Sequence, residues 1–532
     1  MTKKILFLVL SVTLVSTLVF SSCAEPEPTP TPAPAPTPAP APTPAPEPPA
    51  PAGPKYGGTI TQLWRGAAGN LGWQPEAIGE INGTLQLFFE GLIKDDIDGT
   101  MHPWLATSWE TDPQTATIVF HLREGVKFHD GSVFNAEVAK WNMDQRIELG
   151  RAPYWKEITV LDDYTVKVQL TEWRNYLLTG FTTTCLMHSK HSYDTKGLDW
   201  LRLNPVGTGA FMFESYEDGV QTVAVKNPNY WKSGQPYVDK IIVKYIPDWT
   251  ARKSAFLAGE GDVVVAELGK ETADLRAAGF DIVTAKECVF IAIPSGATEG
   301  SPWVDKRVRQ AFDYALDEEA LAEGQGYGEW TPAYHWLAPY TPVYDPNFRG
   351  RTYNPDKAKE LLKDAGYGNG FKTTIYPMPG TQRDCAVAIQ DYLGRVGIDA
   401  EIVFYEAAKF FQFMNKQTWD GIVIIGLPNS GGDFFTSTVA GWYTTLPGSI
   451  FYVSKAVTDE IIEAVVECYS SPEPNVELMQ KATDLTYEEA VIIPVYQGGM
   501  SHAIRPYLKD TGLTIRGSFP MYWNPEEAWL DK

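Results

Sequence analysis

Residues 24–54 contain 15 prolines in 31 positions, in the run AEPEPTPTPAPAPTPAPAPTPAPEPPAPAGP. Proline has no amide hydrogen to give to a helix or a sheet ladder. The alanines, threonines and glutamates between the prolines supply nothing from which to build a core. This tract therefore cannot fold with the rest, and it separates a short N-terminal piece from a long C-terminal body. It reads as a semi-rigid polyproline spacer at about 3.1 Å per residue, reaching on the order of 100 Å when extended. The charges that usually flank an SH3-type ligand are missing, so a tether is the better reading.

Before the tract, Lys3 and Lys4 precede an uncharged apolar stretch, residues 5–20, and then come Ser21, Ser22 and Cys23. A basic start, an apolar middle and small residues before the cut describe a secretory signal. The apolar run is short for a spanning helix, which needs about 20 residues. The tetrapeptide FSSC resembles the bacterial lipobox, whose cysteine is lipidated, although Phe20 stands where that motif usually has leucine. The expectation is a signal peptide over residues 1–22 and a lipid-anchored linker over 23–55, with Cys23 as the lipidation site. The protein would then sit at the outer face of the cytoplasmic membrane, at the cell surface or in the periplasm. A plain signal peptide cut nearby would instead leave a freely soluble product.

About 475 residues lie beyond the tract, too many for one compact core, so two or three domains are expected. No later stretch approaches a second apolar span. The formal charge is −22 and the sequence pI about 4.8, which disfavours nucleic acid and anionic headgroups as partners. Aromatics make up 13% of the chain, with 17 Trp and 26 Tyr, and such amphipathic ring surface suits a large polar–apolar ligand cavity. Cys185, Cys288, Cys385 and Cys468 are widely spaced with no CxxC pair, which excludes a sequence-local zinc site and leaves their disulfide state open.

No GxSxG, HExxH or GxxxxGK[ST] occurs. KDDIDGTMHPW (94–104) evokes a calcium loop but places Lys94 and Leu105 at the first and twelfth ligand positions, where acids belong; a tight Asp98-Gly99 turn between two strands is preferred. HSKH (188–191) spaces two histidines as metal ligands, yet a solvated loop fits better. GQGYG (324–328) lacks a third glycine and follows a helical pattern. The densest cluster of chemistry-bearing residues is HLREGVKFHDGSVFNAEVAKW (121–141). It also reads as construction: a strand ending at Leu122, an Asp130-Gly131 turn, and a helix capped by Asn135 with Val138 and Trp141 on its apolar stripe. His121 and His129 are expected on a solvated face or in local hydrogen bonds.

TATIVFHL (115–122) and YTVKVQL (164–170) alternate like strands. In NPDKAKELLKDAGYGNGF (354–371), Asn354 caps, Pro355 suits the first helical position and Gly366 stops the helix. RDCAVAIQDYLGRVGIDAEIVFYE (383–406) repeats the pattern with a stop at Gly397, and PVYQGG (494–499) comes after a helix near 475–490. These patterns imply a mixed α/β architecture with crossover units.

These segments resemble the bacterial extracellular solute-binding proteins of family 5, the peptide- and nickel-binding components of ABC importers. LATSWETDPQTATIVFHLREGVKFHDGSVFNAEVAKW (105–141) follows the family signature, and NPVGTGAFMFESY (204–216), VKNPNYW (225–231), SAFLAGEGDVV (254–264), VRQAFDYALDEEAL (308–321), YNPDKAKELLKDAGY (353–367) and IIPVYQ (492–497) fall in family order. The resemblance implies an α/β, two-lobed periplasmic-binding-protein-like fold (type II, cluster C) with an extra inserted domain. Lobe 1 would take residues 56–88, 205–285 and 490–532, the inserted domain 89–204, and lobe 2 residues 286–489. It further implies no catalysis: a ligand fills the interlobe cleft, the hinge closes, and the closed form meets the transmembrane subunits of a permease. A monomer is expected, with no cofactor and no metal.

For the site, the resemblance points to GLPNSGGDFFTS (426–437), where Asp433 matches the aspartate that pairs with a peptide's ammonium group. The family's upstream aromatic and following proline are missing here, so Asp433 keeps the carboxylate without its peptide-specific surroundings; a loop aspartate capping a turn is the bland alternative. Trp442, Tyr443, Tyr496 and Trp73 are the other expected ligand contacts. The expected ligand is a peptide or related small organic solute; a sugar, an opine or a metal chelate is the alternative on the same scaffold. A secreted hydrolase with paired carboxylates, or a surface scaffold without a ligand, are the rivals from other classes.

Overall fold

A computed structural model describes residues 53–66, 71–76, 82–96, 99–182, 184–266, 268–284, 288–296, 300–337, 339, 341–380, 382–415, 419–428, 458–513, 523 and 525–532. Three large sheets organise them. The first has seven strands in the order Asp281–Thr284, Ser501–Ile504, Val263–Ala266, Thr59–Trp64, Lys240–Tyr245, Gln221–Lys226 and Phe211–Glu217. Its centre is parallel, with Thr59–Trp64 between Lys240–Tyr245 and Val263–Ala266, and its flanks are antiparallel. The second has six strands, in the order Thr331–Pro332, Ile493–Gly498, Cys288–Gly296, Asp420–Pro428, Phe371–Pro377 and Ile398–Ile402. A four-stranded antiparallel sheet, Ala106–Asp112, Thr117–Leu122, Thr165–Leu170 and Trp155–Asp162, lies wholly inside residues 89–204.

The chain passes from the first sheet to the second between Thr284 and Cys288 and returns between Gly498 and Ser501. The strand Ile493–Gly498 pairs with Cys288–Gly296 in the second sheet, so the return lies near residue 499 and not at the expected 490. Ile493 and Val495 fill the second sheet's core, and that burial decides the sheet to which this segment belongs.

Local expectations and structure agree where short-range chemistry decides. The Asn354 side chain accepts from Lys357 N at 2.9 Å, Pro355 opens the helix Pro355–Asp364, and Gly366 follows it at φ +92°. Helix Arg383–Arg395 is followed by Gly397 at φ +93° and the strand Ile398–Ile402. Ile93–Asp95 pairs antiparallel with Met101–Pro103 as expected of two joined strands, with Gly99 at φ +85°; Asp98 lies outside the described residues. Asn135 caps Ala136–Glu148, but the stripe that this helix buries is Ala136, Ala139, Asn142 and Met143, with Val138 and Trp141 only half-buried beside it. Cys185, Cys385 and Cys468 are free and buried.

The signature cluster settles one question and corrects another. Gly131 makes the turn at φ +85°, its amide donating to Phe128 O at 2.8 Å. His129 is half-buried and its bonds are not local. Its ring nitrogens lie 3.0 Å from Gly209 O and 3.3 Å from Gly207 N, and its amide donates to Gly207 O at 2.9 Å. Accepting at Nδ1 and donating at Nε2 requires the neutral ring, and burial pushes its pKa down to about 4. Gly207 and Gly209 are glycines because a Cβ on either would fall 2.1 Å or 2.6 Å from a backbone oxygen of residues 87–88. Only His121, half-exposed beside Glu110 at 3.5 Å, behaves as expected. His188 of HSKH also lies outside a solvated loop: it is buried between Trp73 and Phe89, ring centroids 4.9 Å and 4.3 Å away.

Candidate ligand-binding site

Three sequence segments converge on a cavity of about 260 Å³ at one edge of the four-stranded sheet, lined by Arg146, Arg151, Tyr154, Trp155, Tyr176 and Gly180 among others. The helix Ala136–Glu148 ends with Arg146 in its last turn, where a cation suits the helix dipole. Gly150, at φ +64°, reverses the chain, and the Arg151 amide donates to Arg146 O at 2.8 Å. That turn brings two guanidinium groups to one wall. Trp155, at the start of its strand, stacks on Phe181 at 4.4 Å and fixes the floor. Tyr176 leads into the 3₁₀ helix Leu177–Phe181 and closes the remaining side.

The electrostatics are one-sided. Arg146 donates to Gln74 Oε1 at 3.2 Å and, at 3.4 Å, to the carbonyl of Arg151. Both are neutral acceptors, and among the described residues no carboxylate lines the cavity. Burial lowers the Arg146 pKa, as does the like charge of Arg151. A partly buried cation held by neutral acceptors favours an incoming anion, and two guanidiniums offer the forked donors that match a carboxylate. The aromatic walls favour an apolar body attached to that anion.

Tyr176 belongs to two cores at once. It packs against the inserted domain's core and against the apolar cluster of the second sheet. Its ring lies 6.4 Å from Tyr154 and, on the other side, 6.2 Å from Tyr469, edge-on to each. Burial raises its phenol pKa well beyond the ordinary range, so it stays neutral. The cavity thus adjoins the place where the two halves of the molecule meet.

The expected site residues are distributed differently. Trp73 is 2% exposed and packs among Trp141, His188 and Tyr193. It stands behind Gln74, the partner of Arg146. Tyr496 is 1% exposed, stacked on Trp330 at 4.8 Å and tilted against Phe290 at 4.7 Å. Asp433, Trp442, Tyr443 and Cys23 lie outside the described residues. Sequence reasoning passed over Arg146, Arg151 and Tyr176; the one local signal was two arginines bracketing Gly150 in RIELGRAPYW (146–155). Among the described residues, no three His, Cys, Asp or Glu side chains cluster to hold a metal ion, and no helix is long and apolar enough to cross a membrane.

Comparison with known proteins fits this architecture. Residues 100–445 match the model of the bacterial extracellular solute-binding proteins, family 5 Middle. Heme-binding protein A of Haemophilus influenzae is 26% identical over 474 residues, covering 80% of this chain and 85% of that protein. Glutathione-binding protein GsiB of Salmonella typhi is 28% identical over 434 residues, covering 77% and 83%. Two solved structures share the fold. DppA of Helicobacter pylori, in complex with the peptide STSA, superposes with a TM-score of 0.75 at 23% identity, over 90% of this chain and 99% of that one. NikA of Brucella suis, in complex with Fe(III)-EDTA, gives 0.78 at 20% identity, over 89% and 100%.

Proposed function

The chain belongs to the bacterial extracellular solute-binding proteins of family 5, substrate-binding components of ABC importers, and from that premise we propose that its ligand is a peptide or a related small organic acid. The observation that carries this reading is the cavity with Arg146 and Arg151 on one wall, aromatic rings around it and, among the described residues, no carboxylate lining it. The ligand's carboxylate would meet the two guanidiniums and its apolar part the rings of Tyr154, Trp155 and Tyr176. Asp433, Trp442 and Tyr443 would supply the second lobe's side, Asp433 facing a cationic group. Trp73 would back the opposite wall through Gln74. The related proteins named for glutathione and bound to the peptide STSA support a carboxylate-bearing, peptide-like solute.

In this reading residues 56–88, 205–285 and the chain after about 499 form lobe 1, residues 89–204 are inserted on it, and the intervening chain forms lobe 2. Closure captures the solute and presents it to a permease. Cys23 carries a lipid, and the proline-rich linker holds the monomeric body away from the membrane. Detergent partitioning of the full chain and of Cys23→Ala tests the anchor: the variant should move to the aqueous phase.

The ligand class is tested by thermal shift on the purified protein with di- to pentapeptides, glutathione, sugars and nickel– and iron–chelates. A free-acid peptide should raise the midpoint, since ligand at 100 times Kd adds about 2.7 kcal/mol to the folded state. The C-amidated peptide, or the Arg146→Ala/Arg151→Ala variant with the free acid, should lose about tenfold or more in affinity. A shift with sugars only, or no shift with any peptide or organic acid, would overturn it.

A further inference from the structure

We propose that residues 173–176 of the inserted domain are a clasp: they close on the C-terminal end of the helix Asp459–Ser470 and hold the molecule shut. The proposal stands on this contact alone and does not depend on which solute the cavity takes.

The last carbonyls of a helix have no partner within it. Here they are met by donors from a segment almost 300 residues away. The Asn175 amide donates to Tyr469 O at 2.9 Å, and its side-chain nitrogen donates to Cys468 O at 2.9 Å and lies 3.1 Å from Ser471 Oγ. The Trp173 indole nitrogen reaches Ser471 O and Pro472 O, each at 3.2 Å. Arg174 donates to Ser470 Oγ at 2.6 Å and lays its guanidinium over the Tyr469 ring at 4.0 Å. Glu172 accepts from the same guanidinium and holds it in that direction. A cation at this end is also favoured by the helix dipole.

The chemistry of these contacts makes them reversible. The acceptors are helix-end carbonyls and hydroxyls that water can serve equally well once the halves part, so opening strands little. At the centre sits Tyr176, whose ring reaches the second sheet's apolar cluster while its other side lines the cavity. A polar rim around one apolar contact is the composition of an interface that forms and releases. A second contact joins the same two halves elsewhere: Arg276 donates to both oxygens of Glu329 at 2.6 and 2.8 Å, and the backbones of Gly269 and Gly326 touch so closely that a Cβ on Gly269 would lie 2.4 Å from Gly326 O.

The test is small-angle X-ray scattering of the full chain without added ligand, comparing wild type, Arg174→Ala/Asn175→Ala and Asn175→Asp. Asn175→Asp keeps the size but points an acceptor at the Cys468 carbonyl, so it opens the clasp without disturbing a core. Both variants should lose about tenfold or more of the closed-to-open ratio, giving a larger radius of gyration, and should still unfold in one cooperative transition. Arg276→Ala, at the second contact, should scatter like wild type. Wild-type scattering from both clasp variants would overturn the proposal, and so would an equal expansion in Arg276→Ala.

Discussion

The inserted domain is attached to the rest of the molecule at two junctions of opposite character. Toward the first sheet, Glu90 is buried and accepts from Trp104, Thr208, Tyr230 and Trp231 at 2.7 to 3.0 Å. Beside it, His129 bridges Gly207 and Gly209, and those glycines lie against the backbone of residues 87–88. Toward the second sheet, residues 173–176 offer their donors to helix-end carbonyls and hydroxyls. In the first junction Glu90, Trp104, Thr208, Gly207 and Gly209 are buried, so parting it would leave several unpaired groups. In the second, water can replace each partner. The same domain is therefore welded on one side and, in the clasp we propose, releasably held on the other.

The largest effect should come from breaking the weld. Glu90→Ala strands four donors, those of Trp104 and Thr208 fully buried, and should cost about 3–5 kcal/mol in chemical denaturation, a size set by leaving buried polar partners uncompensated. Glu90→Gln keeps an acceptor oxygen but faces some of those donors with an NH₂ group, and should cost less. If Glu90→Ala cost no more than a surface change, the two junctions would not differ in kind.

His129→Ala should cost about 1–3 kcal/mol, and its pH dependence gives a sharper readout. The unfolded ring takes its proton near the ordinary pH 6.5, whereas the buried ring holds out until about 4. Its contribution is complete above pH 6.5 and is lost as pH falls through that window toward 4. The stability difference between wild type and His129→Ala should therefore shrink between pH 6.5 and 4. A difference that stayed constant or grew would mean that the ring is charged in the fold.

At the releasable side, Asn175→Asp should lower global stability by about 1.4 kcal/mol, the equivalent of a tenfold shift in the closed population. Smallest of all should be Arg276→Ala. That arginine is 54% exposed, and an exposed pair of this kind contributes about 0–1 kcal/mol, further reduced by salt.

How much of this was legible in the sequence depends on the range of the interactions. The cap at Asn354, the stops at Gly366 and Gly397 and the hairpin at Gly99 depend on neighbours a few residues away, and the sequence carries that information directly. The family resemblance carried the overall layout. The bond from His129 to Gly209 spans 80 residues and that from Asn175 to Cys468 spans 293, and no local pattern announces either. Trp73 looked like a cleft residue because it follows a strand in a loop, yet tertiary packing surrounds it with other rings. The cavity was missed for a similar reason. Arg146 and Arg151 come to one wall through the Gly150 turn, and Tyr176, 25 residues further on, closes another side.

The most direct test compares two amides that the geometry makes alike. The His129 amide donates to Gly207 O and the Asn175 amide to Tyr469 O, both at 2.9 Å. Hydrogen exchange on the native full chain should find His129 protected to the level of global unfolding and Asn175 exchanging far faster, through opening of the clasp alone. Equal protection of the two, at the global level, would contradict the account of one welded and one releasable junction.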